Sequence, residues 1–366
     1  MNRVLQLAEK GWGHTNPNPL VGAVIVKDNQ IIAEGYHAEL GGDHAEIAAL
    51  KNSAGDVRGA TLYVNLEPCS HYGRTPPCAE SIIKSGIREV VISMIDPNPK
   101  VAGRGIQMLQ QAGIKVTAGV LESEARKLNE IFIKYISSDS PFVIMKTAMT
   151  LDGKIASVTG DSKWISCEES RSSVHWLRQR VSAIMVGSGT IIKDNPALTT
   201  RLPSGAGKDP IRIIIDSRGR IPLDCMAVSE TSSARVILAT STHIDSWKEE
   251  AFVKKGVHVI KADSPDGHVD LSKLMQVLHA LEIDSVLLEG GGGLNAAALD
   301  AGIVDKVMAF IAPKIIGGQQ AVTPVEGQGI PLMQNAFSLS DISASQSGMD
   351  ILIEGYVKAR ELCLQE

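Results

Sequence analysis

Along the first third of the chain, short apolar runs alternate with segments whose apolar residues recur at helical spacing. The opening, MNRVLQLAEK, spaces its apolar positions for an amphipathic helix. The runs 21–26 and 31–36 flank Lys27-Asp28-Asn29-Gln30, a turn composition, and predict a β-hairpin. A helical run at 47–50 is followed by the apolar strand pattern ATLYVNL at 60–66. A short helix closed by Gly86 follows, then a strand over 89–95, a helix over 105–113 and a strand over 115–120. One amphipathic helix is predicted over 122–136. This alternation implies an α/β sandwich around a central sheet.

Ser137-Ser138-Asp139-Ser140-Pro141 interrupts the pattern, and Pro141 disfavours helix at Ser140, so domains are expected at 1–138 and 141–366. The second domain restarts with an apolar strand at 142–145 and a long helix at 168–181. Strands follow at 183–186, 211–215, 236–239 and 257–260, then a helix at 271–281 and a strand at 285–288. That strand runs into Glu289-Gly290-Gly291-Gly292-Gly293-Leu294-Asn295, after which 296–301 reads as helix and 306–311 and 351–357 as closing strands. The second half is therefore a distinct α/β domain with a mixed sheet.

Composition narrows the classes of function. The 366 residues are 21% charged and 44% hydrophobic, an ordinary globular balance of two-domain length. A net charge of −5 and a pI of about 6.0 leave no global basic field to hold DNA or transfer RNA, which points to a small substrate. Five cysteines, an odd number, do not suggest a disulfide framework. The start lacks a signal-peptide core and no apolar run approaches membrane-spanning length, so a cytoplasmic protein without a membrane partner is expected.

The chemistry concentrates in Asp43-His44-Ala45-Glu46 and in Pro68-Cys69 through Cys78. One imidazole and two thiolates form a tetrahedral donor set with its fourth position open, which separates a catalytic zinc from a structural one. Water at such a position becomes a nucleophile at neutral pH. Glu46, two residues past His44, is placed to carry protons without binding the metal. The order H-x-E…P-C…C is the signature of zinc deaminases acting on a pyrimidine or purine. Taken singly, each residue would read as a packed imidazole or a buried thiol; the combination carries the site.

Signals in the second half are weaker one by one. The glycine run follows a strand and precedes a helix, where backbone amides can approach a phosphate, although it is not G-x-G-x-x-G and a flexible turn also accounts for it. Ile215-Asp216-Ser217-Arg218-Gly219-Arg220 supplies a hydroxyl and two guanidiniums suited to the 2′-phosphate of NADP, or forms a solvated basic turn. Arg178 and Arg201 can hold an anion, and Asp194 can accept from ligand or backbone. Lys146, set among apolar strand residues, is expected to face a site or a buried partner.

These residues together resemble the bifunctional deaminase–reductase family of riboflavin biosynthesis, along essentially the whole chain. The most specific match is PCSHYGRTPPC, whose cysteines are separated by eight residues where related nucleic-acid and adenosine deaminases carry C-x-x-C. Asn16–Gly22 (NPNPLVG), Asp96-Pro97-Asn98-Pro99, Thr150-Leu151-Asp152-Gly153-Lys154 and Ile215-Asp216-Ser217 also match. The resemblance implies an α/β protein with a cytidine-deaminase-like α/β/α domain followed by a dihydrofolate-reductase-like α/β domain. It implies zinc-dependent deamination of 2,5-diamino-6-ribosylamino-pyrimidinone 5′-phosphate, then NADPH-dependent reduction of the ribosyl to a ribityl chain, in a homo-oligomer (dimer or tetramer). It places Asn18, His37, His71 and Arg74 around the deaminase substrate. It places Ala148, Trp164, Thr190, Asp194, Ser217, Gly291, Gly292, Gly293, Leu294, Asn295, Ala296 and Ala297 along NADPH. Ser162, Arg178, Leu198, Arg201 and Glu289 would contact the reductase substrate, and Lys146, Asp194 and Glu289 are candidates for handling its protons. The alternative is a monofunctional nucleoside or nucleic-acid deaminase with a nucleotide-binding C-terminal domain.

Overall fold

The computed structural model describes residues 1–72, 76–98, 101–203, 205, 207–229 and 232–358, and the chain divides into two units, Met1–Asp139 and Ser140–Glu366. In the first unit, helix α1 (Asn2–Ala8) leads to strands β1 (Gly22–Lys27) and β2 (Gln30–Tyr36). Asp28 and Asn29 turn between them at φ 52° and 60°, the left-handed region that a two-residue hairpin turn requires and that short polar side chains tolerate. There follow α2 (Ala45–Lys51), β3 (Thr61–Leu66), α3 (Cys78–Ser85), β4 (Glu89–Met94), α4 (Arg104–Gln111), β5 (Lys115–Ala118), α5 (Glu122–Leu128) and α6 (Glu130–Ser137). The sheet order is β2-β1-β3-β4-β5, antiparallel at the hairpin end and parallel from β3 to β5.

Leu62, Ile82, Ile92 and Leu109 are fully buried between sheet and helices, each contributing about 1.5–3 kcal/mol relative to an exposed side chain. This core fixes the ends of β3, α2 and α3, where the metal-type residues lie. The single helix expected over 122–136 is in fact two, broken at Asn129. The Asn129 side chain is 2% exposed; it accepts from the Leu20 backbone N–H (2.8 Å) and donates to the Leu20 carbonyl (3.0 Å). Satisfying those two part-buried backbone groups takes the place of one unbroken helical turn.

The second unit comprises β6 (Phe142–Thr150), α7 (Glu168–Arg180), β7 (Ala183–Gly187), α8 (Ser188–Asp194), β8 (Ile211–Ile215) and β9 (Val236–Thr240). It continues with α9 (Ser246–Lys254), β10 (His258–Lys261), α10 (Leu271–Ala280), β11 (Ser285–Leu288), α11 (Gly292–Asp300), β12 (Lys306–Ala312), β13 (Leu339–Ser347) and β14 (Asp350–Val357). Nine strands run in the order β10-β9-β8-β7-β11-β6-β12-β14-β13, parallel through β12, with β14 and β13 antiparallel at one end. Strands covered on both faces read as continuous apolar runs, which is why β7, β8 and β11 were legible. Met185 and Ile213 pack with α10 on one side, while Ile184 and Ile214 pack with Phe252 of α9 on the other.

β6 continues to Thr150 where the sequence suggested an end at 145, because β12 pairs with it through Ala312↔Thr150. Its polar residues Lys146 and Thr147 border a cavity rather than ending the strand. α8, α9 and β13 have no counterpart in the sequence expectation. β13 (LSDISASQS) carries too little apolar pattern to be read alone and exists through its ladder with β14. α11 begins inside the glycine run, at Gly292, with Gly291 as its N-cap. A Cβ on Gly292 would lie 2.5 Å from the Thr323 carbonyl and 2.4 Å from Glu326 Cγ, so only glycine fits. Among the described residues, no helix is long and apolar enough to cross a membrane.

Candidate active sites

In the first unit three elements converge on one point. His44 is the N-cap residue of α2, Cys69 follows the end of β3, and Cys78 is the first residue of α3. Their ligand atoms lie within 4.8 Å of one another, with His44 Nδ1 3.6 Å from Cys69 Sγ and 3.3 Å from Cys78 Sγ. A tetrahedral zinc with ordinary Zn–S and Zn–N bonds separates its ligands by about 3.5–3.8 Å. The three residues therefore fit that metal with little rearrangement.

The charges of the set point the same way. The Cys69 thiol is pulled down to about 4, first by its hydrogen bond with Cys78 and then by that with His44, against the cost of burial. The Cys78 backbone N–H also donates to Cys69 Sγ at 3.2 Å. The side-chain hydrogen bond with Cys69, then burial, push the Cys78 thiol up, so Cys69 is the partner that ionises first. A bound cation would expel the second proton. Cys78→Ala, which removes one of three ligands, is expected to yield protein without zinc and without deaminase turnover, checked by metal content against the unaltered chain. Zinc retained at one per chain in that variant would take Cys78 out of the ligand set.

Glu46 sits in the first turn of α2 and is 3% exposed. Burial, then the charge of Cys69, raises its carboxyl to about 7, although hydrogen bonding with Cys78 opposes this. A carboxyl in that range takes and returns a proton near neutral pH. Beside it, His37 Nδ1 lies 2.9 Å from the Asp43 carbonyl, so this nitrogen donates and Nε2 accepts from Asn18 Nδ2 at 3.2 Å. His37 is 3% exposed and its ring meets His44 edge-on at 5.6 Å. His71 is exposed just past Cys69, and Arg74 lies outside the described residues. The sequence reading did not single out Glu67. It is 3% exposed, and its carboxylate accepts backbone N–H groups of Asp96, Gly103, Gly105 and Ile106 at 2.9–3.3 Å, tying the start of α4 to the residue before Pro68-Cys69. An acidic residue before that proline was the available signal; four partners 29–39 residues away were not readable.

In the second unit a cavity of about 1110 Å³ opens at the carboxyl ends of β6, β11, β7 and β8, where open parallel sheets bind ligands. Of the expected residues, Lys146, Ala148, Ser162, Arg178, Thr190, Asp194, Leu198, Ser217, Glu289, Gly291, Gly292, Gly293, Leu294, Asn295 and Ala297 line it. Trp164, Ala296 and Arg201 do not. Trp164 is exposed and stacks with Arg171 at 4.6 Å, and Ala296 turns into the protein. The glycines at the start of α11 present helix N–H groups to the cavity, the arrangement that receives phosphate. Arg220 reaches the cavity and donates to Ser188 Oγ at 2.7 Å, whereas Arg218 is not part of the lining. The loop after β10 adds Ser264, Asp266 and His268 to the wall, residues with no motif to reveal them.

Arg178 does not stand free for a ligand. It clasps Glu289 through Nε (2.7 Å) and Nη2 (3.0 Å), and Nη1 donates to the Thr199 carbonyl at 2.9 Å. Lys146 Nζ lies 4.0 Å from the same carboxylate. Burial raises the Glu289 carboxyl, but the charges of Arg178 and Lys146 outweigh it and hold it at about 2. Burial, less the pull of Glu289, lowers the Lys146 ammonium. The triad is thus an ionised cluster with one cation, Lys146, made readier to release a proton.

Residues 141–353 match the family model of the RibD C-terminal domain, and residues 1–94 that of the cytidine and deoxycytidylate deaminase zinc-binding region. The riboflavin biosynthesis protein RibD of Actinobacillus pleuropneumoniae is 49% identical over 354 residues, 97% of this chain and 93% of that protein. RibD of Escherichia coli (strain K12) is 42% identical over 331 residues, 87% and 88% of the two chains. A solved deaminase/reductase from Thermotoga maritima, a diaminohydroxyphosphoribosylaminopyrimidine deaminase and 5-amino-6-(5-phosphoribosylamino)uracil reductase, superposes with a TM-score of 0.83 at 40% identity, covering 98% of this chain and 97% of that one. RibD of Acinetobacter baumannii superposes with a TM-score of 0.87 at 36% identity, covering 98% of each.

Proposed function

The chain belongs to the RibD family of riboflavin biosynthesis, a zinc-binding deaminase joined to a reductase, and from that premise we propose how its residues divide the two reactions. The first domain (1–138) deaminates 2,5-diamino-6-ribosylamino-pyrimidinone 5′-phosphate. The second (141–366) then uses NADPH to reduce the ribosyl to a ribityl chain. The observation that carries the first assignment is the buried carboxyl of Glu46 beside a three-ligand set; a structural metal site has no use for a neighbouring acid or base.

Zinc held by His44, Cys69 and Cys78 would supply a Lewis acid that makes water nucleophilic at neutral pH. Glu46 takes a proton from the attacking water and returns it to the amino nitrogen that leaves as ammonia, which its carboxyl near 7 suits. Asn18, held by His37, and His71 line the pocket for the base, and we assign Arg74 to the substrate with them.

NADPH, seated with its phosphates on Gly291–Gly293 and running past Ala148, Thr190, Asp194, Ser217, Leu294, Asn295 and Ala297, would supply the reducing equivalent. Lys146 donates a proton to the ring oxygen as the ribose opens, and Glu289 holds it in place. Ser162, Leu198 and Arg201 contact the substrate, while Arg178 acts through Glu289 and Thr199 rather than on the ligand directly. Exposed Ile342, Met349 and Ile351 along the β13–β14 end of the sheet support a homo-oligomer, and we place the enzyme in the cytoplasm.

Incubation with the pyrimidinone ribosylamine phosphate, with and without NADPH, tests the reading. Ammonia is expected without NADPH, and NADPH consumption only after ammonia has been released. Ammonia from cytidine or transfer RNA, with none from the pyrimidinone, would instead support a nucleoside or nucleic-acid deaminase.

A further inference from the structure

Resting on the reading of the second unit as a reductase of a phosphorylated ribosyl substrate, we propose that His175 is a phosphate ligand of that site. Its Nε2–H and the Arg201 guanidinium close together on the 5′-phosphate.

His175 lies on α7 three residues before Arg178, on the same helix face. The backbone N–H of Arg201 donates to His175 Nδ1 at 3.2 Å. An amide N–H has nothing to accept with, so Nδ1 presents its lone pair, and a neutral imidazole then carries its proton on Nε2. Arg201 Nη2 lies 3.4 Å from that Nε2. A guanidinium nitrogen is a donor only. Two donors therefore face each other at a separation where neither can bond the other, and among the described residues no oxygen accepts from either. A group with acceptors alone, set between them, satisfies both.

The imidazole stays neutral in this setting. Burial lowers it first, then the charges of Arg178 and Arg201, with Lys146 adding and Glu289 opposing, and together they bring it to about 4. The same helix face fixes the segment that carries the partner: Arg178 Nη1 holds the Thr199 carbonyl while His175 holds the Arg201 N–H. Leu198 and Arg178, which border these residues, line the cavity. The pair thus sits at the cavity's edge next to Glu289 and Lys146, where the far end of a substrate would emerge. Ribose hydroxyls and the N–H groups of a pyrimidinone bring donors of their own; a phosphate brings oxygens only, and its charge suits a neutral donor beside a guanidinium.

Two variants separate ligation from positioning. His175→Ala removes both nitrogens. His175→Asn keeps an acceptor for the Arg201 N–H but has no donor at the Nε2 position. Both are expected to raise KM for the deaminated 5′-phosphate about tenfold to a hundredfold, as loss of a charge-assisted hydrogen bond does, with kcat falling much less. The inhibition constant of inorganic phosphate against that substrate should rise with KM. The unphosphorylated analogue should discriminate little between wild type and variants, within about threefold. Wild-type phosphate affinity in His175→Asn would reduce His175 to a positioner of Arg201 and overturn the proposal, as would an equal loss with the unphosphorylated analogue. If the wild type oxidises no NADPH with the phosphorylated intermediate, the reductase reading fails instead.

Discussion

Glu46→Gln is expected to lower deamination by about ten-thousandfold, the upper range for loss of a general acid–base, while the bound zinc stays in place. The substitution keeps size and shape in a site where the side chain is 3% exposed, so no cavity opens. The metal set survives because its three ligands come from His44, Cys69 and Cys78, which are held by the ends of α2, β3 and α3. Only the titrating oxygen disappears. An amide neither accepts the water proton nor returns it to the departing amine, so both halves of the step lose their carrier. Ammonia release under single-turnover conditions and zinc content measure the two expectations together. Turnover within tenfold of wild type would remove Glu46 from the mechanism, whereas loss of zinc would make it a support for the metal.

Glu289→Gln should abolish reduction and also destabilise the second unit, by about 3–5 kcal/mol, because it leaves two cations behind without their counter-charge. Arg178 and Lys146 are exposed by only 13% and 16% at their side chains, so water repays little of that cost. For a domain of this size the loss corresponds to a fall in Tm of roughly 6–20 °C. The sign of the pH dependence follows from a carboxyl lowered from 4.5 to about 2. A depressed carboxyl contributes its full stability above the unfolded value near 4.5 and loses it as pH falls toward about 2. The gap in stability between wild type and variant should therefore be constant at neutral pH and narrow below pH 4.5. A gap that stays constant to pH 3, or a variant as stable as wild type, would mean that the pair contributes no net charge interaction.

The metal centre was legible from the chain because its information is linear. His44 and Glu46 stand two apart, Cys69 and Cys78 sit at the end of a strand and the start of a helix, and those residue types have few other reasons to occur in that order. The parallel strands of the second unit were legible for a related reason, since burial on both faces writes an unbroken apolar run. The break at Asn129 was not, because its cause is a backbone 109 residues earlier in the chain. The polar strand β13 was not, because only pairing with β14 makes it a strand.

In the reductase cavity the sequence by itself determined which residue types would be present: a glycine run before a helix, arginines, and a lysine among apolar neighbours. Only the tertiary structure decided their partners. β11 inserts between β7 and β6, and this brings Glu289 to Arg178 across 111 residues and to Lys146 on the adjoining strand. Arg178, expected from the sequence to hold an anion, is thereby taken by a carboxylate, and His175 is left facing Arg201 as a second donor. Charge identity is written locally. Charge pairing is a property of distance, and in a low-dielectric site the pairing, not the identity, sets which group stays available for a ligand.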